Sequence, residues 1–317
     1  MMRVLVTGAS GFVGRFVRAA LVRAGAEAVS AVRQAQPAPA SGASIELGPE
    51  STSEQMRRAL NGIDAVIHLA AFVHDMSGRT SASDYQRINR DYPLAIGRAA
   101  SAAGARRFVF VSTIKVNGDG TGVGQSYTEA SGAAPSGPYA ESKWQAERGL
   151  SELSGETSLV TRIVRPPLVY GPGVRANFLS LMRWVRRGVP LPFARVDNAR
   201  SLIYVENLAD VLVRLALARD SAELSRTYLV SDGEDLSTPE LIRRLARALR
   251  VRPRLVPVPA SLLRGSLSLL GRGAAAERLM GSLRVDSSLV RRELAWRPLA
   301  SVDEGLVRTA AWLDEGA

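Results

Sequence analysis

Short apolar runs alternate with longer amphipathic stretches through the first half of this chain. "RVLVT" at 3–7 predicts a buried strand, and "GRFVRAALVRAG" predicts the amphipathic helix behind it. "AEAVSAVR" predicts a second strand, and beyond the Pro/Ala-rich loop "QAQPAPASGA" the short run "SIEL" predicts a third. "SEQMRRALNG" reads as a helix, "DAVIHLAA" as a fourth strand, "YQRINRDYPLAIGRAASAAG" as one long helix and "RRFVFVST" as a fifth strand. "PYAESKWQAERGLSEL" is again helical, and "SLVTRIVRPPLVYG" holds a sixth strand. Strands this apolar need cover on both faces, so their alternation with helices predicts the α/β class, as a Rossmann-type doubly wound parallel sheet. After Gly171 the texture changes, with helices and short strands mixed. The expected organisation is a first domain at 1–171 and a smaller C-terminal α/β lobe at 172–317, some of whose segments return to the main sheet.

Composition narrows the chemistry. The 317 residues are 46% hydrophobic and 22% charged, which describes an ordinary globular protein. With no cysteine and only two histidines, His68 and His74, a disulfide scaffold, a thiolate nucleophile and a Cys- or His-rich metal centre are not expected. Neither a signal peptide nor an uninterrupted apolar run of about 18 residues is evident. The closest approach to one, "SLLRGSLSLLGRGAAAERLM", is broken by arginines. A cytoplasmic location without a membrane partner is therefore expected. The formal net charge of +11 comes almost wholly from arginine, since the lysines are Lys115 and Lys143 alone. These arginines are scattered rather than gathered into a basic tail with interleaved aromatics, so nucleic acid is not expected, and an anionic substrate or simply an arginine-rich proteome accounts for the charge.

Gly8, Gly11 and Gly14 in "TGASGFVG" stand between the first strand and the first helix. A turn this tight needs residues without a Cβ, and it brings a pyrophosphate to the amides at a helix N-terminus. The end of the second strand reads the ribose: an Asp or Glu there holds a 2′-hydroxyl, whereas an Arg accommodates a 2′-phosphate. Arg33 occupies that place with no acid nearby, so NADP(H) is favoured over NAD(H). Downstream, Tyr139 and Lys143 lie four apart on one face of a predicted helix. With seven Tyr and two Lys in the chain, that spacing arises by chance only about 0.04 times.

These motifs, with "HLAA" (68–71), Asn89 in "RINRDYP", "FVSTIKVNG", "RPPLVYGPG", "NFLSLMRW", "RSLIYVENLAD" and "RRELAWRP", resemble the extended short-chain dehydrogenase/reductase family along nearly the whole chain. The branch they resemble is that of nucleotide-sugar 4-epimerases, dehydratases and reductases. The resemblance implies that 1–171 binds NAD(P) and that 172–317 binds substrate. It implies that Tyr139 is the general acid/base, that Lys143 lowers its pKa and holds the nicotinamide ribose, that Thr113 hydrogen-bonds the reacting oxygen, and that Asn89 supports the site from below. Phe12 and Val13 would offer backbone amides, Glu46 and Leu47 would flank the adenine, and Leu69, Ala70, Ala71 and Pro166 would line the cofactor path. Asn177 and Arg200 would contact the nucleotide diphosphate of a UDP-sugar, and Val73, His74 and Phe193 are candidates for selecting the sugar. A homodimer through the helices near 85–103 and 139–153 is also implied.

The branch's 4,6-dehydratases carry an Asp–Glu pair directly after the catalytic Thr. Ile114 and Lys115 stand there instead, which argues against dehydration. Within the branch the chain resembles the bacterial UDP-glucose 4-epimerase-like group that includes UDP-N-acetylquinovosamine 4-reductases. This resemblance implies reduction of a C4 ketone on a UDP-linked, deoxy or N-acetylated hexose for cell-surface polysaccharide (O-antigen) assembly. The second reading is C4 epimerisation of a UDP-hexose with bound NAD, and the third is a non-catalytic NADP-binding regulator.

Overall fold

The computed structural model describes residues 1–33, 43–73, 81–218, 224, 226–269 and 279–316. His74 and most of the loop after the second strand lie outside the described residues. The main sheet has seven parallel strands: β1 (Arg3–Thr7), β2 (Glu27–Val32), β3 (Ala43–Glu46), β4 (Ala65–His68), β5 (Arg107–Val111), β6 (Val160–Arg165) and, from beyond residue 171, a closing strand at Thr227–Leu229. Their spatial order is β3-β2-β1-β4-β5-β6 followed by that closing strand. Because the order reverses between β1 and β4, the carboxyl ends of these two strands flank a crevice.

Successive residues of each strand serve opposite layers. Val4, Val6, Ile67, Val109 and Val164 pack against α1 (Phe12–Arg23) and the helix Val205–Leu217. Their neighbours Leu5, Val66, Phe108 and Ile163 pack against α2 (Ser53–Ala59), α3 (Tyr92–Ala102) and α4 (Gly137–Glu156). This two-residue period is what a sheet buried on both faces requires. A third cluster, built around Tyr170, Phe178, Leu202 and Tyr204, also receives Phe12, Val13 and Phe16 from the start of α1.

Two sequence expectations change. The predicted sixth strand is two strands, because Pro166 and Pro167 lack the N–H that a central ladder needs. Val160–Arg165 stays in the main sheet, whereas Leu168–Tyr170 joins a separate three-stranded sheet with Arg200–Tyr204 and Asp235–Leu236. The single long helix predicted at 85–104 starts earlier, at Ala82, behind a Ser81/Asp84 capping box. It also passes through a π-helical turn at Arg87–Asp91 before continuing as α3.

Candidate active site

At the crevice, the glycine turn is held by backbone approach. Gly8 has φ +66°, and a Cβ there would lie 2.9 Å from the Ala70 nitrogen. At Gly14 a Cβ would fall 2.2 Å from the Gly8 carbonyl oxygen and 2.7 Å from Ala9 Cα. The Gly11 amide donates to the Gly8 carbonyl at 2.9 Å, and Gly11 begins α1 without a side-chain cap. The first-turn amides, which include those of Phe12, Val13 and Gly14, are thus open to an anion at the positive end of the helix. Such a turn fits a dinucleotide pyrophosphate. Thr7 fixes the neighbouring wall, its hydroxyl accepting from the amides of Leu69 and Ala70 at 3.2 Å each. Gly14→Ala is expected to destabilise the fold by about 3 kcal/mol, the upper range for forced overpacking, because the atoms in its way are backbone. A lowered thermal midpoint and weakened dinucleotide binding by fluorescence titration would check this.

Across the crevice, α4 presents Tyr139 and Lys143. The half-buried Tyr139 shares a side-chain hydrogen bond with Thr113, whose hydroxyl also accepts from the Lys115 amide at 3.3 Å. Tyr85 meets the Tyr139 ring edge-on, with centroids 6.4 Å apart. Ser142, one turn along α4, donates to the Tyr139 carbonyl at 2.8 Å and receives the Asn89 amide at 3.1 Å. Asn89 is completely buried in the π-turn and clamps the Phe72 backbone, donating to its carbonyl at 2.9 Å and accepting from its amide at 2.8 Å. One carboxamide therefore joins the loop after β4 to the helix carrying Tyr139. A π-turn re-aims one residue without ending a helix, which is why such turns gather at functional sites.

Electrostatics follow from burial. Lys143 is fully buried with its Nζ 3.9 Å from the centroid of the Phe110 ring. Desolvation pushes its pKa down to about 7, against the opposing pull of Glu147. Burial pushes the Tyr139 phenol up to about 12, opposed by its bond to Thr113, so the hydroxyl is protonated at neutral pH. His68, enclosed by Tyr92, Phe108 and Phe110, is driven down to about 3 by burial and then by Lys143, and is neutral.

Sequence reasoning missed several supporting residues. Arg165 at the end of β6 forms a buried pair with Glu147, its Nε donating to Oε1 at 3.0 Å, and also donates to the Asn117 side chain at 3.0 Å. Ser142 and Glu147 had a readable signal, lying three after Tyr139 and four after Lys143 on one helix. Thr7 and Tyr85 had none.

The remaining expected residues divide. Arg33 is exposed just past β2, with its stem 3.5 Å from where a Gly48 Cβ would sit. Glu46 is exposed beside it, paired in register with Val32. Leu47 buries its side chain in the core, leaving only backbone for a ligand, and Leu69, Ala70 and Ala71 are partly open at the crevice. Pro166 is buried, its carbonyl accepting from the Ile114 amide at 3.0 Å. Asn177 is exposed near the start of the helix Ala176–Arg186, whereas Arg200 donates to the Gly281 carbonyl at 2.8 Å. Phe193 packs into the C-terminal core and Val73 is exposed. Among the described residues no cluster of metal-ligating side chains occurs, and no helix is long and apolar enough to cross a membrane.

Comparison with known proteins gives a consistent picture. The NAD dependent epimerase/dehydratase family matches residues 4–231. A UDP-glucose 4-epimerase of Vibrio cholerae is 37% identical over 97% of this chain and 94% of its own. In fold, the chain is similar to the UDP-glucuronic acid 4-epimerase of Bacillus cereus in complex with NAD, with TM-score 0.78, 20% identity and 99% of each chain covered. It is similar in the same way to the UDP-glucose 4-epimerase of Thermotoga maritima with UDP-glucose, with TM-score 0.78, 21% identity and 99% of each chain covered.

Proposed function

The chain belongs to the NAD-dependent epimerase/dehydratase family, an extended short-chain dehydrogenase/reductase enzyme of the nucleotide-sugar type, and from that premise we propose that it reduces the C4 ketone of a UDP-linked hexose with NADPH. The observation that carries this reading is the Thr113–Tyr139 hydrogen bond beside a buried lysine, with the tyrosine held as a phenol. Bound in the glycine cradle, the dinucleotide supplies the hydride. Tyr139 then donates its proton to the sugar oxygen as C4 becomes tetrahedral, and Thr113 holds that oxygen by a second hydrogen bond. The Lys143 ammonium opposes the negative charge left on the phenol. Asn89 acts through Ser142 and Phe72 to position the tyrosine. Dehydration lacks its acids, because Ile114 is buried in a small apolar cluster and Lys115 pairs with Asp119 at 3.5 Å.

Arg33 supports NADP(H), since it is exposed just past the end of β2. Arg33→Asp is expected to weaken NADPH binding by about tenfold to a hundredfold, the range of one charge-assisted contact, while NADH binding holds or improves. An unchanged NADPH-to-NADH ratio in fluorescence titration would overturn that role. The 172–317 segment, with Asn177, is the substrate side of this reading, and pairing of two copies through the helices near 85–103 and 139–153 is its expected assembly.

A second reading, C4 epimerisation with retained NAD, is favoured by the Vibrio cholerae relative. One experiment separates them. Oxidation of NADPH on adding a UDP-4-keto-6-deoxy-N-acetylhexosamine, with the product sugar identified by NMR, supports the reductase. Interconversion of UDP-glucose and UDP-galactose with NAD, without net cofactor oxidation, supports the epimerase.

A further inference from the structure

The positive charge of this chain is unevenly placed. No Asp or Glu occurs between Glu156 and Asp197, or between Glu240 and Glu277, although both stretches are rich in arginine. The fold brings parts of the two stretches together. The helix Ala176–Arg186 ends beside Trp184, whose carbonyl accepts from the Val189 amide at 3.0 Å. The chain then pairs with the second stretch: the Leu191 amide donates to the Arg254 carbonyl at 2.8 Å, and the Val256 amide donates back to Leu191 at 2.8 Å. From Val256 the chain runs into the helix Ala260–Leu269.

This face is apolar where it should be wet. Trp184 is 44% exposed, Val256 41% and Leu262 64%, while the adjacent Leu263 faces the core. Around them stand Arg183, Arg187, Arg252 and Arg254, all exposed. Asp314 meets this helix only at Arg186, 3.8 Å away and two residues from Trp184 on the helix's other side. An exposed apolar cluster flanked by arginine matches the interfacial region of an anionic bilayer, where indole rings settle at headgroup depth and each cation gains from lipid charge. A second copy of the same face would bring like charges together, which disfavours self-association through it.

We propose that this face docks on an anionic phospholipid surface, with Trp184, Val189, Val256 and Leu262 entering the headgroup layer and the four arginines meeting lipid phosphates. Such a contact lies on a membrane and does not span it, so it goes beyond the absence of a long apolar helix. Asn177 and Trp184 sit on one helix about 10 Å apart at its usual rise, so docking would hold the substrate side of the enzyme near the lipid. The docking does not depend on which sugar, or which reaction, the active site serves.

The test is flotation of the full-length protein with vesicles of phosphatidylcholine containing phosphatidylglycerol, compared with phosphatidylcholine alone. We expect binding to the anionic vesicles only, reduced about tenfold or more by raised salt and by each of two double variants, Trp184→Ser/Leu262→Ser and Arg187→Glu/Arg254→Glu. NADPH binding should be unchanged in both. A blue shift of tryptophan emission on anionic vesicles, lost in Trp184→Phe, reads the same contact without relying on the double variants folding. No flotation with anionic vesicles, or equal flotation of wild type and both variants, would overturn the proposal. It would also be overturned if the variants altered only the mass in light scattering, or only RNA retention in a gel shift, since the face would then serve a second copy or a nucleic acid.

Discussion

Tyr139→Phe should lower turnover by about a thousandfold, within the range of general acid–base catalysis, while NADPH binds with nearly unchanged affinity. The substitution removes only the hydroxyl that meets Thr113, so the ring keeps its edge-on contact with Tyr85 and the Ser142 bond to its carbonyl is untouched. Steady-state rates with the UDP-4-keto sugar, beside fluorescence titration of NADPH, separate the two effects. Proportional losses in rate and in cofactor affinity would make Tyr139 a binding residue. If the unaltered protein binds NADPH but turns over no nucleotide sugar, the non-catalytic regulator becomes the better reading.

The second large effect lies behind the site. Arg165→Met is expected to destabilise the protein by about 3–5 kcal/mol, because it strands the buried Glu147 carboxylate without its partner. Adding Glu147→Leu should recover most of that loss, since a well-packed apolar pair can replace a buried ion pair at little cost. Urea unfolding midpoints of the three variants form the cycle. Equal destabilisation in the single and double variants would mean that Arg165 acts through packing on Trp144 and its bond to Asn117 instead.

What could be read in advance was whatever has few physical substitutes. Gly8, Gly11 and Gly14 announce the cradle because backbone atoms occupy the space that any Cβ would need, and Tyr139 and Lys143 announce themselves because a helix sets their spacing. The succession of strands and helices along the chain follows from alternating apolar runs, although the Pro166–Pro167 pair shows that an unbroken apolar run can still serve two sheets. The π-turn escaped because one extra residue barely disturbs a helical period, so Asn89 was placed on the right helix with no hint of its grip on Phe72. Arg165 escaped for another reason, and Glu147, although four residues after Lys143 on one helix, gave no sign of its partner. Arg165 looks like an ordinary surface charge until tertiary packing brings it to Glu147 in the interior.

The late arrival of the closing strand matters for how this molecule is made. β6 leaves the ribosome long before Thr227–Leu229 can cover it, so for part of synthesis it is the rim of an unfinished sheet. Bare rims of apolar strands recruit other chains, and nascent intermediates are most exposed to that hazard. Unlike the all-apolar centre of β4, this strand carries Arg162 and Arg165. Arg162, and Arg165 until Glu147 neutralises it, put positive charge on a growing rim and repel a second nascent copy of the same strand. An arginine that supports the finished site thus also protects the chain while it waits for its last partner.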